Sequence, residues 1–362
     1  MVDDLPTPAI LIDVERVTRN VERMADYARS HGLKLRPHTK THKSKQLARW
    51  QLERGAGGLT VAKLGEARVM AEVSDDLLMA YPAVDHARCI GLAELARTKT
   101  VRAAVDSIDA ADALASAVRS AGTTLGVLVD LDVGFSRTGV QTPEEALGLA
   151  RHVDRSPGLR LDGLLFFPGH VSGPPGAQEP ALRAVNEKLG EVIELWRRSG
   201  LEAFIVSGGS TPTAFQSHRV TRMTEIRPGT YIFNDMNCVH GGSATLDDCA
   251  ARVLATVVST SVPGQVVIDA GSKTLTSDRC GPAPDSGFGY VVEYPRAKIT
   301  KLSEEHGQVD VTACDRVPAV GERVTVIPNH ICPCINLQDQ VWWKHDGELP
   351  QAVRVDARGK VQ

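Results

Sequence analysis

The sequence predicts an α/β chain: a (β/α)8 barrel followed by a C-terminal antiparallel β domain. Two observations carry that reading. Eight apolar strand segments alternate with helical stretches through the first two thirds of the chain, and after about Cys238 the texture changes to short β-rich runs separated by Gly and Pro. A third supports it, because polar, Gly-rich clusters recur at the ends of the strand segments, where a barrel gathers its functional groups.

The elements follow in order. Thr7–Asp13 (TPAILID) reads as a short apolar strand and Val14–Ser30 as an amphipathic helix. Strands are then expected at Leu33–Lys40, Gly58–Leu64, Asp76–Pro82, Thr100–Asp106, Leu125–Asp132, Leu161–Gly169, Ala203–Ser210 and Glu225–Phe233. Helices are expected between them at Ser44–Arg54, Gly65–Val73, Ala110–Ala121, Pro143–Val153 and Pro180–Arg198, and Thr41 is a plausible cap for the first. Short loops favour closure into a barrel over the competing doubly wound open sheet. Beyond Cys238, strands are expected at Ala251–Val262, Gln265–Asp269, Gly289–Leu302, Gln308–Thr312, Arg323–Ile327 and Asp339–Lys344, with no long helix among them.

Composition narrows the function. At 362 residues the chain can bury a large core and suits two domains; 42% hydrophobic and 23% charged residues are ordinary for a soluble globular protein. A net charge of -3 gives no electrostatic case for nucleic acid or an acidic membrane surface. The opening Met-Val-Asp-Asp-Leu-Pro lacks the basic start and apolar core of a signal peptide, and no run approaches the roughly 18 apolar residues of a membrane span. Seven scattered cysteines point to reduced thiols, so a cytoplasmic location is expected.

The strand ends carry the chemistry. The first packs Arg36, His38, Lys40, His42 and Lys43 behind the stiff Pro37. The fifth ends in Asp130 and Asp132, then Gly134, Arg137 and Gly139; the sixth ends in Phe167-Pro168-Gly169-His170. The seventh, Ser207-Gly208-Gly209-Ser210-Thr211-Pro212-Thr213, places two glycines before hydroxyls at a strand end, where backbone N–H groups and hydroxyls converge on a phosphate. It is neither a Walker loop nor a dinucleotide fingerprint. A phosphate site on one strand end, with a lysine crowded by cations on another, suggests a phosphorylated cofactor bound as a Schiff base. A second constellation is His330-Ile331-Cys332-Pro333-Cys334. In an extended segment His330 and Cys332 face one side and can hold a single metal ion, leaving positions open for water or substrate.

Eight ordered motifs, RPHTKTHK, LTVAKLGEA, GFSRTGV, VSGGSTPT, EIRPGTYIFND, DAGSKTLTSD, LSEEHG and IPNHICP, resemble the D-threonine aldolase and D-serine dehydratase family over nearly the whole chain. These are metal-activated pyridoxal-phosphate enzymes of the alanine racemase fold. The resemblance implies a cofactor barrel over residues 14–240 and a β domain of residues 1–13 and 241–362 carrying the metal motif. It implies that Lys40 carries the cofactor, and that Gly208, Gly209, Ser210 and Thr211, with Tyr231, hold its phosphate. His330 and Cys332 match the metal pair, and His170 a histidine near the substrate, although Phe166 and Phe167 stand where relatives often show tyrosine. Arg137 and Arg227 are both candidates to face the pyridine nitrogen.

The expected function is a lyase acting on a small D-3-hydroxy amino acid in a homodimer. Dehydration to a 2-oxo acid and ammonia is favoured by the His-x-Cys pair, which resembles the dehydratases and suits zinc; His-x-Asp, with manganese or magnesium, resembles the aldolases. Asn336-Leu337 after the motif looks aldolase-like, so retro-aldol cleavage to glycine and an aldehyde is the alternative. A non-catalytic cofactor carrier or a racemase would leave the metal motif without a purpose.

Overall fold

The computed structural model describes residues 4–362, so the first three residues of the expected 1–13 segment lie outside the described residues. The chain divides into two compact units: a barrel unit of Met24–Lys40, Ser44–Gly229 and Lys360–Gln362, and a β unit of Thr41–Lys43, Thr230–Gly359 and the described part of Met1–Arg23. With strands numbered along the chain, β1 (Ala9–Asp13) belongs to the β unit.

The barrel strands are β2 (Lys34–Leu35), β3 (Leu59–Val61), β4 (Asp76–Met79), β5 (Thr100–Val105), β6 (Leu125–Leu131), β7 (Leu159–Phe166), β8 (Ile205–Gly208) and β9 (Glu225–Ile226). All pair in parallel in the order β2-β9-β8-β7-β6-β5-β4-β3. The two ends of that order join beyond β2: Thr39 N–H donates to Thr60 O (2.9 Å) and Thr60 N–H to Pro37 O (2.9 Å). The sheet therefore closes, as expected, and is not an open doubly wound sheet. All seven residues of β6 are buried, as strands covered on both faces require.

Helices Lys45–Glu53, Leu64–Met70, Ile108–Ala121, Pro143–Arg155 and Glu179–Arg198 follow the expected stretches, and His86–Leu95 adds one more. Ser44, not Thr41, caps the first: its Oγ accepts from Leu47 N at 3.4 Å. Thr142 and Glu145 form a capping box around Pro143, which tolerates the first helical turn because its missing N–H would have no partner there. Inside the barrel, Arg36 donates from Nε to Glu225 (2.8 Å) and from Nη1 to Asp76 (2.7 Å), while Arg102 bridges Asp76 (2.6 Å) and Asp162 (2.7 Å). Arg36, Glu225 and Asp162 are buried and Asp76 and Arg102 partly so; all are paired and hydrogen-bonded, the form in which a core accepts charges.

The β unit adds β10 (Ala251–Ser259), β11 (Gln265–Ile268), β12 (Tyr290–Val291), β13 (Lys298–Leu302), β14 (Gly307–Asp310), β15 (Arg323–Ile327), β16 (Gln340–Lys344) and β17 (Gln351–Arg354). β1 lies between β10, antiparallel, and β16, which gives the one parallel ladder of this mostly antiparallel sheet among the described strands. The expected strand Gly289–Leu302 divides into β12 and β13, and β17 was not expected. Only short helices interrupt the strands, Ser272–Leu275 and Ile331–Asn336 being two of them. No described helix is long and apolar enough to cross a membrane.

Candidate active site

In the barrel unit the candidate residues follow the C-terminal ends of strands. Lys40 is exposed two residues past the His38–Thr60 bridge, and its N–H points to His38 Nδ1 at 3.4 Å. Arg36 does not crowd it as a free cation, since its guanidinium is committed to Glu225 and Asp76.

The loop after β8 is a built cradle. Ser207 Oγ donates to Glu225 Oε1 (2.6 Å) and anchors the strand end. A Cβ on Gly208 would overlap the Phe166 ring, so this position must be glycine for the loop to pack. Gly209 has φ +87, a left-handed conformation that glycine adopts without strain, and the nearest atom to a Cβ built there is 3.6 Å away. Ser210 and Thr211 are buried, and the Ser210 and Thr213 hydroxyls sit 3.0 Å apart. Arg227, fully buried, donates from Nη2 to Phe166 O (2.7 Å) and its N–H to Gly208 O (2.9 Å), but its Nε has no partner. Burial lowers the Arg227 pKa to about 10. An unmatched buried donor costs about 1–3 kcal/mol, which an incoming acceptor would relieve. Hydroxyls, an open glycine turn and an orphaned guanidinium N–H together fit a phosphorylated cofactor such as pyridoxal phosphate.

The loop after β6 is held by Asp132, whose Oδ1 accepts from Gly134, Phe135 and Ser136 N–H at 3.0, 2.9 and 3.0 Å. Burial alone would raise its pKa, but these three bonds outweigh it and the pKa is lowered. Asp130 accepts from Thr138 Oγ1 (2.8 Å), and burial raises its pKa. This fixes Arg137, an exposed residue whose guanidinium lies over the rings of Phe167 (4.5 Å) and Phe135 (5.3 Å). His170 is exposed on the next loop, with its ring 3.1 Å from where a Gly134 Cβ would stand. Of the two arginines, Arg227 is the one with an unmatched donor in a dry setting, and Arg137 presents its charge to solvent.

The metal motif lies in the β unit, and its geometry corrects one expectation. The segment is not extended: His330 is the N-cap of helix Ile331–Asn336 and Cys332 is in its first turn. Pro333 breaks nothing, because first-turn N–H groups have no intrahelical acceptor. Residues two apart on a helix face different sides, so Cys334 is turned away: it is buried, its thiol donates to His330 O (3.2 Å) and Leu275 O (3.5 Å), and burial pushes its pKa well up. His330 and Cys332 still come together, their side chains hydrogen-bonded. His330 Nδ1 is 2.7 Å from Asp278 Oδ2. Burial alone would lower the His330 pKa, but Cys332 and Asp278 outweigh it and hold it at about 9. Thr41 Oγ1 lies 3.2 Å from Cys332 Sγ. Tyr231, also in the β unit, is buried. Nitrogen and sulfur donors on one short arm fit a borderline divalent metal.

Two acidic residues around this arm carry no role in the sequence reading, although both stand in its motifs. Asp278 closes DAGSKTLTSD, and Asp235 closes EIRPGTYIFND. Asp235 is fully buried; it accepts from Cys238 N (3.1 Å) and Ile331 N (3.1 Å), and so pins the residue between His330 and Cys332. Their separations from the arm, dozens of residues, give no periodicity that could have revealed the contacts.

A closed parallel barrel with a glycine-and-hydroxyl loop that fits a phosphate and a lysine after a strand end, together with a β unit holding a His/Cys pair, agrees with a pyridoxal-phosphate enzyme of the alanine racemase fold. The chain belongs to that family: "Alanine racemase, N-terminal domain" matches residues 12–236 and "Putative serine dehydratase domain" residues 250–343. It is 34% identical over 351 residues to D-threo-3-hydroxyaspartate dehydratase of Delftia sp., covering 91% of both chains. It is 30% identical to D-threonine aldolase of Arthrobacter sp, covering 98% of this chain and 93% of that one. Among solved structures, D-threonine aldolase from Filomicrobium marinum superposes with a TM-score of 0.92 at 30% identity, covering 100% of this chain and 98% of that one. A mutant of D-threo-3-hydroxyaspartate dehydratase in the metal-free form gives 0.90 at 29% identity, with 98% of each chain covered.

Proposed function

We propose that this chain is a lyase that dehydrates D-3-hydroxy amino acids to a 2-oxo acid and ammonia. The observation that carries the reading is the hydrogen-bonded imidazole–thiol pair of His330 and Cys332. A sulfur donor suits zinc and resembles the dehydratases, where a carboxylate would suit manganese or magnesium and resemble the aldolases. The likeness to a dehydratase with a metal-free form supports a divalent ion here.

When bound, pyridoxal phosphate supplies an electron sink for negative charge at the substrate Cα, and a divalent metal supplies a Lewis acid for the β-hydroxyl. Lys40 Nζ would carry the cofactor and then take the Cα proton. Ser210, Thr211 and the backbone of Gly208 and Gly209 would hold the phosphate. Arg227 Nε would donate to an acceptor of the cofactor, and Arg137, propped on Phe135 and Phe167, would orient an oxygen of the cofactor or substrate. His330 and Cys332 would hold the metal. His170 would move a proton at the substrate's β-oxygen.

The likeness to D-threonine aldolases keeps the second reading, in which a base removes the hydroxyl proton and the Cα–Cβ bond breaks. Incubating the purified protein with D-serine, D-threonine and D-3-hydroxyaspartate separates the two. Ammonia with a 2-oxo acid is the expected outcome; glycine with an aldehyde would establish the aldolase instead. We place the enzyme in the cytoplasm, a reading supported by seven cysteines with no disulfide among the described residues.

A further inference from the structure

We propose that Asp278 is the positioning residue of the metal arm: its carboxylate fixes the His330 ring so that Nε2, together with Cys332 Sγ, is offered to one divalent cation. The inference rests on the metal reading above.

The geometry is specific. His330 uses Nδ1 on Asp278 Oδ2 at 2.7 Å, which leaves Nε2 as the ring nitrogen for the Cys332 side. A neutral imidazole has one N–H; placed on Nδ1 and held by a carboxylate, it leaves the Nε2 lone pair for a metal and makes it more basic. Asp278 is itself aimed by its loop. Thr276 takes φ +64, a backbone turn that a threonine rarely adopts, and its Oγ1 accepts from Asp278 N (3.2 Å). Asn329, the residue before His330, donates from Nδ2 to Asp278 O (3.0 Å) and Gly287 O (2.8 Å). The loop of Asp278 and the arm of His330 are thus joined twice, by side chain and by backbone. On the other side of the arm, Asp235 takes Ile331 N. An exposed His–Asp contact with no ligand to orient would contribute little, because half-exposed ion pairs are weak. What distinguishes Asp278 is that it meets the one nitrogen that does not face Cys332.

The test uses cofactor-loaded protein stripped of metal, titrated with zinc alone by calorimetry, with cobalt as a spectroscopic probe of the sulfur–nitrogen donor set. Asp278→Ala is expected to weaken zinc binding about 10- to 100-fold and to alter the cobalt spectrum. The cofactor's visible absorbance and the metal-free melting temperature should hold. Asp278→Asn, nearly isosteric and still able to accept the Nδ1 proton, should lie between the two; it also decides the matter if the alanine variant fails to fold. Wild type that binds no zinc would sink the metal reading itself. Wild type that binds zinc while Asp278→Asn and any folded Asp278→Ala bind it equally well would overturn the role of Asp278 and leave the metal reading standing.

Discussion

Lys40 and Lys43 are three residues apart in a basic run, and their surroundings differ. Lys40 is exposed at a strand end, while Lys43 is buried with φ +52 and its carbonyl accepts from Ala357 N at 2.9 Å. Lys40→Ala should therefore abolish the visible absorbance of bound cofactor and all activity, leaving the unfolding free energy of the cofactor-free protein within about 0.5 kcal/mol of wild type, as for other surface substitutions. Survival of the band in that variant, with its loss in Lys43→Ala, would reverse the assignment. At this scale the legible residues were those whose chemistry is visible in a short window: a lysine among cations, two glycines before hydroxyls, a His and a Cys two apart. Asp278, Asp235 and the orphaned Nε of Arg227 were not legible. Their roles depend on partners far along the chain, and a motif supplies the residue without saying what it touches.

Among the elements, the alternation of apolar strands and helices made all eight barrel strands readable, though too long. Glu225–Phe233 was expected to pair throughout; only Glu225–Ile226 does, and the chain then leaves the ladder at Pro228, which has no N–H to give, and turns at Thr230–Ile232. The helix Ile331–Asn336 was missed because its segment was read as extended, and its start is settled by a distant residue, Asp235, whose carboxylate accepts from Ile331 N. That helix separates two cysteines which an extended segment would have put on one side. On the proposal that the Cys332 thiol is a metal donor and not a cofactor contact, chelation or Cys332→Ala should remove activity by at least about 100-fold while the cofactor spectrum persists. Cys334→Ala should leave metal content unchanged and cost only about 1 kcal/mol of stability, the usual scale for losing a small buried side chain. Equal loss of metal in both variants would show that Cys334 is a ligand after all.

For the whole molecule, chemistry that develops a carbanion needs a mouth closed to water, since protons and hydroxyl from solvent quench or divert it. The strand ends of the barrel unit present an exposed face of Phe135, Arg137 and His170, with Tyr81 40% exposed on the loop after β4. Exposed aromatic and guanidinium groups are the residue types that partner surfaces favour. We therefore propose a homodimer in which the β unit of one copy covers this face of the other, as the family resemblance implies. An interface of this kind buries about 2,000 Å² or more, enough for the dimer to persist at assay concentrations. Sedimentation should then report twice the 38.9 kDa chain mass, and dilution below the dissociation range should lower activity in step with the dimer fraction. Phe135→Glu, which adds charge to the covered face without touching Lys40 or the metal arm, should shift that range upward by at least tenfold. A fully active monomer at assay concentration would remove the partner from the site and require the chain to exclude water by itself.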